Sequence, residues 1–194
     1  MQIALETGAD TARFRTLLTV FWGMVFAKCF VLEYAVQLYA VPINSVIYVW
    51  TLSLTMATVV TFIHIRARNF NPLSLQATTP RLIKRVWIAV FISALIFAVA
   101  SKTFGIFPSL LLPGLFSVML GIGFFIQSSM IHKRIFAIAA IGWWAVAIPL
   151  LAGPYRVNLF WFGIAILALQ VVPASTIWLK AKLESSSPTP RQEE

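Results

Sequence analysis

The sequence predicts an all-α integral membrane protein, a bundle of six transmembrane helices. Of its 194 residues, 60% are hydrophobic and 11% are charged, whereas soluble domains carry roughly a quarter of their residues as charges. Six apolar stretches are spread along the chain, each long enough, or nearly so, to cross about 30 Å of hydrocarbon. The basic residues are grouped between these stretches. Together, these observations exclude a soluble domain.

The six predicted spans cover residues 14–39, 44–65, 82–101, 107–131, 135–151 and 158–179. Each is expected to be a helix, because a backbone exposed to lipid must satisfy its own hydrogen bonds. The alternating pattern of a membrane β-barrel is absent from the sequence. Span 1 follows an acidic segment with Glu6 and Asp10 and precedes no small-residue cleavage site. It is therefore interpreted as a retained span and not as a signal peptide.

The sequence also indicates the loop lengths, the helix kinks and the places where helices can pack closely. The loop between spans 2 and 3 is the one sizeable connection, and span 5 is the shortest span. Pro113 in span 4 and Pro173 in span 6 each remove a helical hydrogen bond, so a kink is predicted at both. Small residues at four-residue spacing in spans 3 and 4 permit close helix contact. These are Ala94 and Ala98 in span 3 and Ser117 and Gly121 in span 4.

The distribution of basic residues predicts the orientation. Twelve flank the spans on one side, and only Lys102 and Arg156 flank them on the other. The twelve are Arg13, Arg15, Arg66, Arg68, Arg81, Lys84, Arg85, Lys133, Arg134, Lys180, Lys182 and Arg191. Because cytoplasmic loops carry the excess of lysine and arginine, both termini are expected in the cytoplasm, in a plasma membrane or bacterial inner membrane. We expect one membrane domain over residues 1–183, with a cytoplasmic segment 1–13 and a disordered tail 184–194.

Two ionisable residues within span 1 are the first candidates for a functional site. Lys28 lies near the middle of the span and Glu33 in its outer half. Five residues separate them by about 140° around a helix, so a direct pair is not expected. A charge at mid-bilayer costs roughly 3 kcal/mol on insertion scales, which makes such residues functional candidates. The structural alternative is that Lys28 bonds to carbonyls or hydroxyls and Glu33 reaches the outer interface.

A shared polar level near the bilayer centre supports a solute site between the helices. Polar residues from spans 1, 2, 3, 4 and 6 are estimated to lie at this depth, and span 5 places two tryptophans there instead. These residues are Lys28, Thr55, Ser93, Ser117, Trp143, Trp144 and Gln170, and Glu33 joins them as a candidate from the outer half. Serine and threonine are also ordinary packing residues in membrane helices, so this layer has a structural alternative too.

Three classes of function compete. The first is a small-solute or ion transporter, or the membrane subunit of one, whose site around Lys28 would favour an anion. The second is a non-catalytic regulatory, assembly or sensor subunit that binds a partner protein through the basic cytoplasmic loop. The third, an intramembrane enzyme, is not predicted, because the sequence has no GxSG turn with a matching histidine, HExxH, paired membrane aspartates or CxxC.

No cofactor or metal is predicted. Cys29 is the single cysteine, and His64 and His132 at the cytoplasmic ends of spans 2 and 4 have no acidic or thiol co-ligand near them in sequence. The expected partners are the lipid bilayer, a small anionic solute, and a membrane protein partner or a second copy of the chain. Nucleic acid is not expected despite the net charge of +9, because the basic residues lie at the ends of the spans.

Overall fold

The structure, a computed structural model, describes residues 2–40, 44–67, 78–131 and 134–186. Over these residues it is all-helical, with no strand. The helices are α1 (Gln2–Leu38), α2 (Asn44–Ala67), α3 (Thr78–Phe104), α4 (Leu112–Ile131), α5 (Arg134–Leu151), α6 (Val157–Ile166) and α7 (Val172–Ser186). A π-helical segment, Leu167–Val171, joins α6 to α7, and these three pieces form the sixth span.

The predicted number of spans is confirmed, since six helical segments of the described chain are long and apolar enough to cross a membrane. The helix bounds differ from the predicted ones mainly at the ends. Helix α1 already begins at Gln2, so the segment predicted to precede span 1 continues that helix. Helix α7 extends to Ser186, and the rest of the predicted disordered tail lies outside the described residues.

Five of the spans form a ring that is not closed. Helix α2 packs on α1, α1 on α6, α6 on α4, and α4 on α3, whereas α2 and α3 at the two ends of this series have little contact in the described part of the chain. Helix α5 packs mainly against α4, outside the ring. The core between these helices is aromatic: Trp143 and Phe162 are fully buried with ring centroids 5.7 Å apart.

Glycines permit close contact between helices at two places. A Cβ built on Gly121 would overlap the indole of Trp144, so this glycine lets α4 approach α5 and not α3. A Cβ on Gly163 would lie 2.9 Å from Val31 Cγ2 and 3.1 Å from the carbonyl of Ala27. This glycine therefore lets α6 approach α1. Of the four small residues that the sequence marked, Gly121 thus permits a close contact with α5.

The prolines occupy different places in their helices. Pro113 is buried in the first turn of α4, where a missing N–H removes no helical hydrogen bond. Pro173 is the second residue of α7, directly after the π-helical segment. Pro149 lies inside α5, near its end. Irregular backbone in the sixth span is thus concentrated just before Pro173, at about the middle of that span.

Candidate functional site

A cavity of about 480 Å³ lies inside the ring of spans. Its wall is built by α1, α2, α3, α4, α6 and the π-helical segment, together with the short turn Ser109–Leu111 before α4, and α5 contributes nothing to it. A volume between about 300 and 1,000 Å³ is typical of small-molecule sites. The cavity is therefore the natural candidate for a binding site.

The contacts between the helices indicate where the cavity opens to the surface. It is partly open to the surface, and the neighbouring helices with little mutual contact are α2 and α3. Phe91 and Leu95 of α3 line the cavity and are also 61% and 55% exposed, so they stand at its edge. In a bundle embedded in a bilayer, a molecule dissolved in the lipid could enter between α2 and α3.

Most of the wall is apolar. Phe30, Phe116 and Phe162 meet around it, with ring centroids 4.7 Å apart for Phe30 and Phe162 and 6.3 Å apart for Phe116 and Phe162. Ala94 and Ala98 of α3 leave room opposite them. Such a wall favours hydrocarbon and gives little compensation for the desolvation of a small inorganic ion.

One end of the cavity carries a carboxylate. Glu33 lines the wall, and its Oε2 accepts a hydrogen bond from Trp50 Nε1 at 2.8 Å. The indole of Trp50 packs edge-on against Phe30, with ring centroids 5.0 Å apart. Because a carboxylate offers about four acceptor positions, the bond from Trp50 fixes its direction and leaves acceptor capacity for a ligand.

The other end carries an amide and an indole. Gln170 lies in the π-helical segment, lines the cavity and donates from Nε2 to the carbonyl of Thr19 at 3.4 Å. Trp87 lines the same end and donates from Nε1 to Gln127 Oε1 at 3.0 Å. Isolated π-helical turns occur frequently at functional sites, because they re-aim side chains within a helix.

Close packing holds the Gln170 end in place. A Cβ on Gly23 would lie 2.7 Å from Val171 Cγ2 and 3.2 Å from Gln170 Nε2, so only a glycine lets α1 approach the π-helical segment this closely. Trp87 stacks edge-on against Phe124 with ring centroids 5.2 Å apart. Gly23, beside Gln170, precedes Glu33 by about 15 Å along α1 at the usual helical rise. The cavity is thus elongated between its two polar ends.

The structure does not bring the predicted site residues together. Of the eight, only Glu33 and Gln170 line the cavity. Lys28 and Thr55 are exposed on the outside of the bundle, and Ser93 is half-buried outside the wall. Lys28 and Glu33 form no ion pair, in line with the angle between them. A site centred on Lys28 is therefore not supported by its position.

The remaining candidates serve packing. Ser117 is fully buried, and its Oγ donates to the carbonyl of Pro113 on its own helix at 2.9 Å. Trp143 is fully buried in the aromatic core, and its N–H finds no acceptor in the described part of the chain. Trp144 covers Gly121 and donates to the carbonyl of Val118 at 3.3 Å. These contacts are the structural alternative that the sequence left open.

Sequence reasoning missed two residues at the polar ends. Trp50 is not among the predicted site residues, although Glu33 was expected in the outer half of the bilayer. A carboxylate within a span needs a hydrogen-bond donor at its own depth, and that requirement could have paired Glu33 with Trp50. The same reasoning could not have found Trp87, because its hydrogen-bond partner Gln127 was not among the predicted site residues.

No metal site emerges from the described residues, where no group of three or more histidine, cysteine or acidic side chains comes together. His64 is half-buried at the end of α2, and His132 lies outside the described residues. Comparisons with known proteins add no assignment: no family model, no curated protein and no solved structure matches this chain.

Proposed function

We propose that this chain binds a small amphipathic solute in the cavity and carries it within or across the membrane, as a transporter or the membrane subunit of one. The observation that supports this most is the form of the cavity: an elongated apolar wall with Glu33 at one end. Two of its wall helices, α2 and α3, have little mutual contact in the described residues, so the solute is proposed to enter between them. The hydrocarbon part of the solute would contact the aromatic wall, and its head group would meet the carboxylate.

The proposed solute differs in charge from the one that the sequence suggested. An anion was expected because Lys28 was assigned to the site, but Lys28 lies outside the cavity. A carboxylate repels anions and accepts hydrogen bonds, so the head group is proposed to be a cation or a hydrogen-bond donor, such as an ammonium group. Gln170 at the far end adds a polar contact near the tail of the solute.

The orientation of the site follows from the proposed topology. Twelve basic residues flank the spans on the side of the termini and two on the opposite side, which supports cytoplasmic termini in a plasma or bacterial inner membrane. In that orientation, the end with Glu33 and Trp50 faces outward and the end with Trp87 and Gln170 faces the cytoplasm. The solute would be held with its head group toward the outer surface.

A bend in the sixth span gives the site a way to change shape. The proposed bend lies at Pro173, where a kink was predicted, because the π-helical segment before it already interrupts the regular hydrogen bonding. Gln170 belongs to that segment, so bending there would move a lining residue. A bend at Pro113 is less favoured, because that proline occupies the first turn of α4.

The experiment measures thermal stability of the purified protein with a single-chain alkylammonium probe. A ligand at about 100 times its dissociation constant stabilises by about 2.7 kcal/mol, a readily measured rise in melting temperature. Ala94→Trp fills the cavity and is expected to abolish the rise. Ala89→Trp adds the same side chain at an exposed position of the same helix, outside the wall, and should leave the rise intact.

The head group is tested with the same measurement. An alkyl sulfate of equal chain length should stabilise the protein less than the alkylammonium, and Glu33→Gln should remove most of that difference. Equal effects of the two probes, or a rise that survives Ala94→Trp, would mean that the probes act on the exterior like any detergent. Uptake of a labelled alkylammonium into proteoliposomes then separates transport from binding alone.

The second candidate function is the regulatory, assembly or sensor subunit that binds a partner through the basic loop between spans 2 and 3. The positions that support it are the exposed Arg66, Lys84 and Arg85 at the ends of α2 and α3. Residues 68–77 of this loop lie outside the described residues. An exposed basic end of this kind suits an acidic protein surface or anionic lipid head groups.

A further inference from the structure

The face of α1 that points away from the cavity carries Lys28. This residue lies at a depth of the span where no water is expected. Met24, Lys28 and Leu32 are spaced four residues apart, so they share one face of the helix, and all three are exposed. Met24 and Leu32 are 53% and 39% exposed. Lys28 and Phe30 point about 160° apart around the helix, so this face lies on the far side of α1 from the cavity.

At its depth in the span, Lys28 cannot easily extend its ammonium group to water. It lies about 18 Å from one end of the apolar segment Thr16–Leu38 and about 15 Å from the other at the usual helical rise. A lysine near the end of a span can extend its ammonium group to the interface, but the middle of the span is the least favourable place for this. Within the described part of the chain, Lys28 has no hydrogen bond and no ion pair.

The chain itself offers no suitable counter-charge. Its six acidic residues are Glu6, Asp10, Glu33, Glu184, Glu193 and Glu194. Only Glu33 belongs to a membrane span, where it faces the cavity and accepts from Trp50. A second copy of the chain would have the same six acidic residues, and its Glu33 would face its own cavity as well. Neither the monomer nor a symmetric dimer neutralises Lys28.

We propose that the face formed by Met24, Lys28 and Leu32 docks a transmembrane helix of a different membrane protein, one that carries an aspartate or glutamate at mid-span. Acidic and basic residues inside the bilayer pair with one another, because each alone is costly. The apolar neighbours of Lys28 then pack against the partner helix on either side of the ion pair. This interface is separate from the cavity and does not depend on its solute.

The test uses a polyleucine transmembrane peptide with one glutamate at its midpoint, reconstituted with the protein in lipid vesicles. Association is measured by energy transfer between labels on the two chains. The protein should bind this peptide about tenfold more tightly than a peptide with leucine at the midpoint, the size expected for one polar contact between membrane helices. Lys28→Leu should lose the preference, and Leu32→Ala on the same face should keep it.

Charge reversal gives a readout that a merely structural lysine would not produce. Lys28→Glu is expected to prefer a peptide with lysine at its midpoint over the glutamate peptide. Equal binding of the glutamate and leucine peptides by the unaltered protein would overturn the proposal, and that comparison does not depend on any variant folding. Retention of the preference in Lys28→Leu would overturn it as well.

Discussion

Replacing Gly121 by alanine is expected to lower the free energy of unfolding by about 2 kcal/mol, within the range typical of overpacked cores. The added methyl group would overlap the indole of Trp144. That indole cannot easily withdraw, because its N–H donates to the carbonyl of Val118 at 3.3 Å and its ring lies 5.7 Å from that of Phe125. The helices α4 and α5 would have to separate along their contact. Thermal or denaturant unfolding of the purified protein measures the loss.

Gly123→Ala is the matched control on the same helix. A Cβ there would meet Val90 Cγ2 at 3.4 Å and Trp87 at 3.5 Å, which are ordinary contacts. Since alanine exceeds glycine in helix propensity by about 1 kcal/mol, this variant should be as stable as the unaltered protein or more so. In a protein that already carries Trp144→Ala, Gly121→Ala should cost much less than it does in the unaltered protein. If the two glycine variants behave alike, the account of the contact between α4 and α5 is wrong.

Replacing Asn158 by aspartate is expected to lower the free energy of unfolding by about 3 kcal/mol, because a buried donor is lost and the carbonyls are left unpaired. Asn158 is 3% exposed. Its Nδ2 donates to the carbonyls of Leu150 at 3.0 Å and Gly153 at 2.7 Å. Leu150 belongs to the last turn of α5, where carbonyls have no partner within the helix. Aspartate has the same shape but places an oxygen against these oxygens.

Gln127→Glu controls for the introduction of an acidic group. The amide of Gln127 acts as an acceptor, from Trp87 Nε1 at 3.0 Å, and a carboxylate preserves that role. Its effect on thermal unfolding should be clearly smaller than that of Asn158→Asp. Equal losses in the two variants would show that any added acid in this bundle destabilises it, and that the bonds of Asn158 are not the cause.

The architecture was accessible from sequence because the bilayer imposes a simple rule. A span must be predominantly apolar and helical, so the number of spans follows from the number of long apolar stretches. The helix ends were harder to predict, since α1 continues without interruption from the polar residues after Gln2 into the apolar segment. A helix can continue past its apolar segment, so the end of that segment does not mark the end of the helix.

The site was harder to predict, because depth along a helix says nothing about direction around it. Lys28 and Thr55 were grouped with Gln170 by depth, yet the first two are exposed and the third lines the cavity. Direction depends on which helices are neighbours, and that is a tertiary property. The angle between Lys28 and Glu33 was the exception, since both belong to one helix and its geometry is fixed.

The most direct test of the cavity as a solute site asks where the tail of a bound amphiphile lies. An alkylammonium as long as the cavity, with bromine at the end of its tail, should quench tryptophan fluorescence at the Trp87 end when its head group meets Glu33. We expect Trp87→Phe to remove most of the quenching and Trp50→Phe to preserve it, with Ala94→Trp preventing specific quenching. Equal quenching in the Trp87→Phe and Trp50→Phe variants would contradict the account, because the probe would then lie in the surrounding lipid.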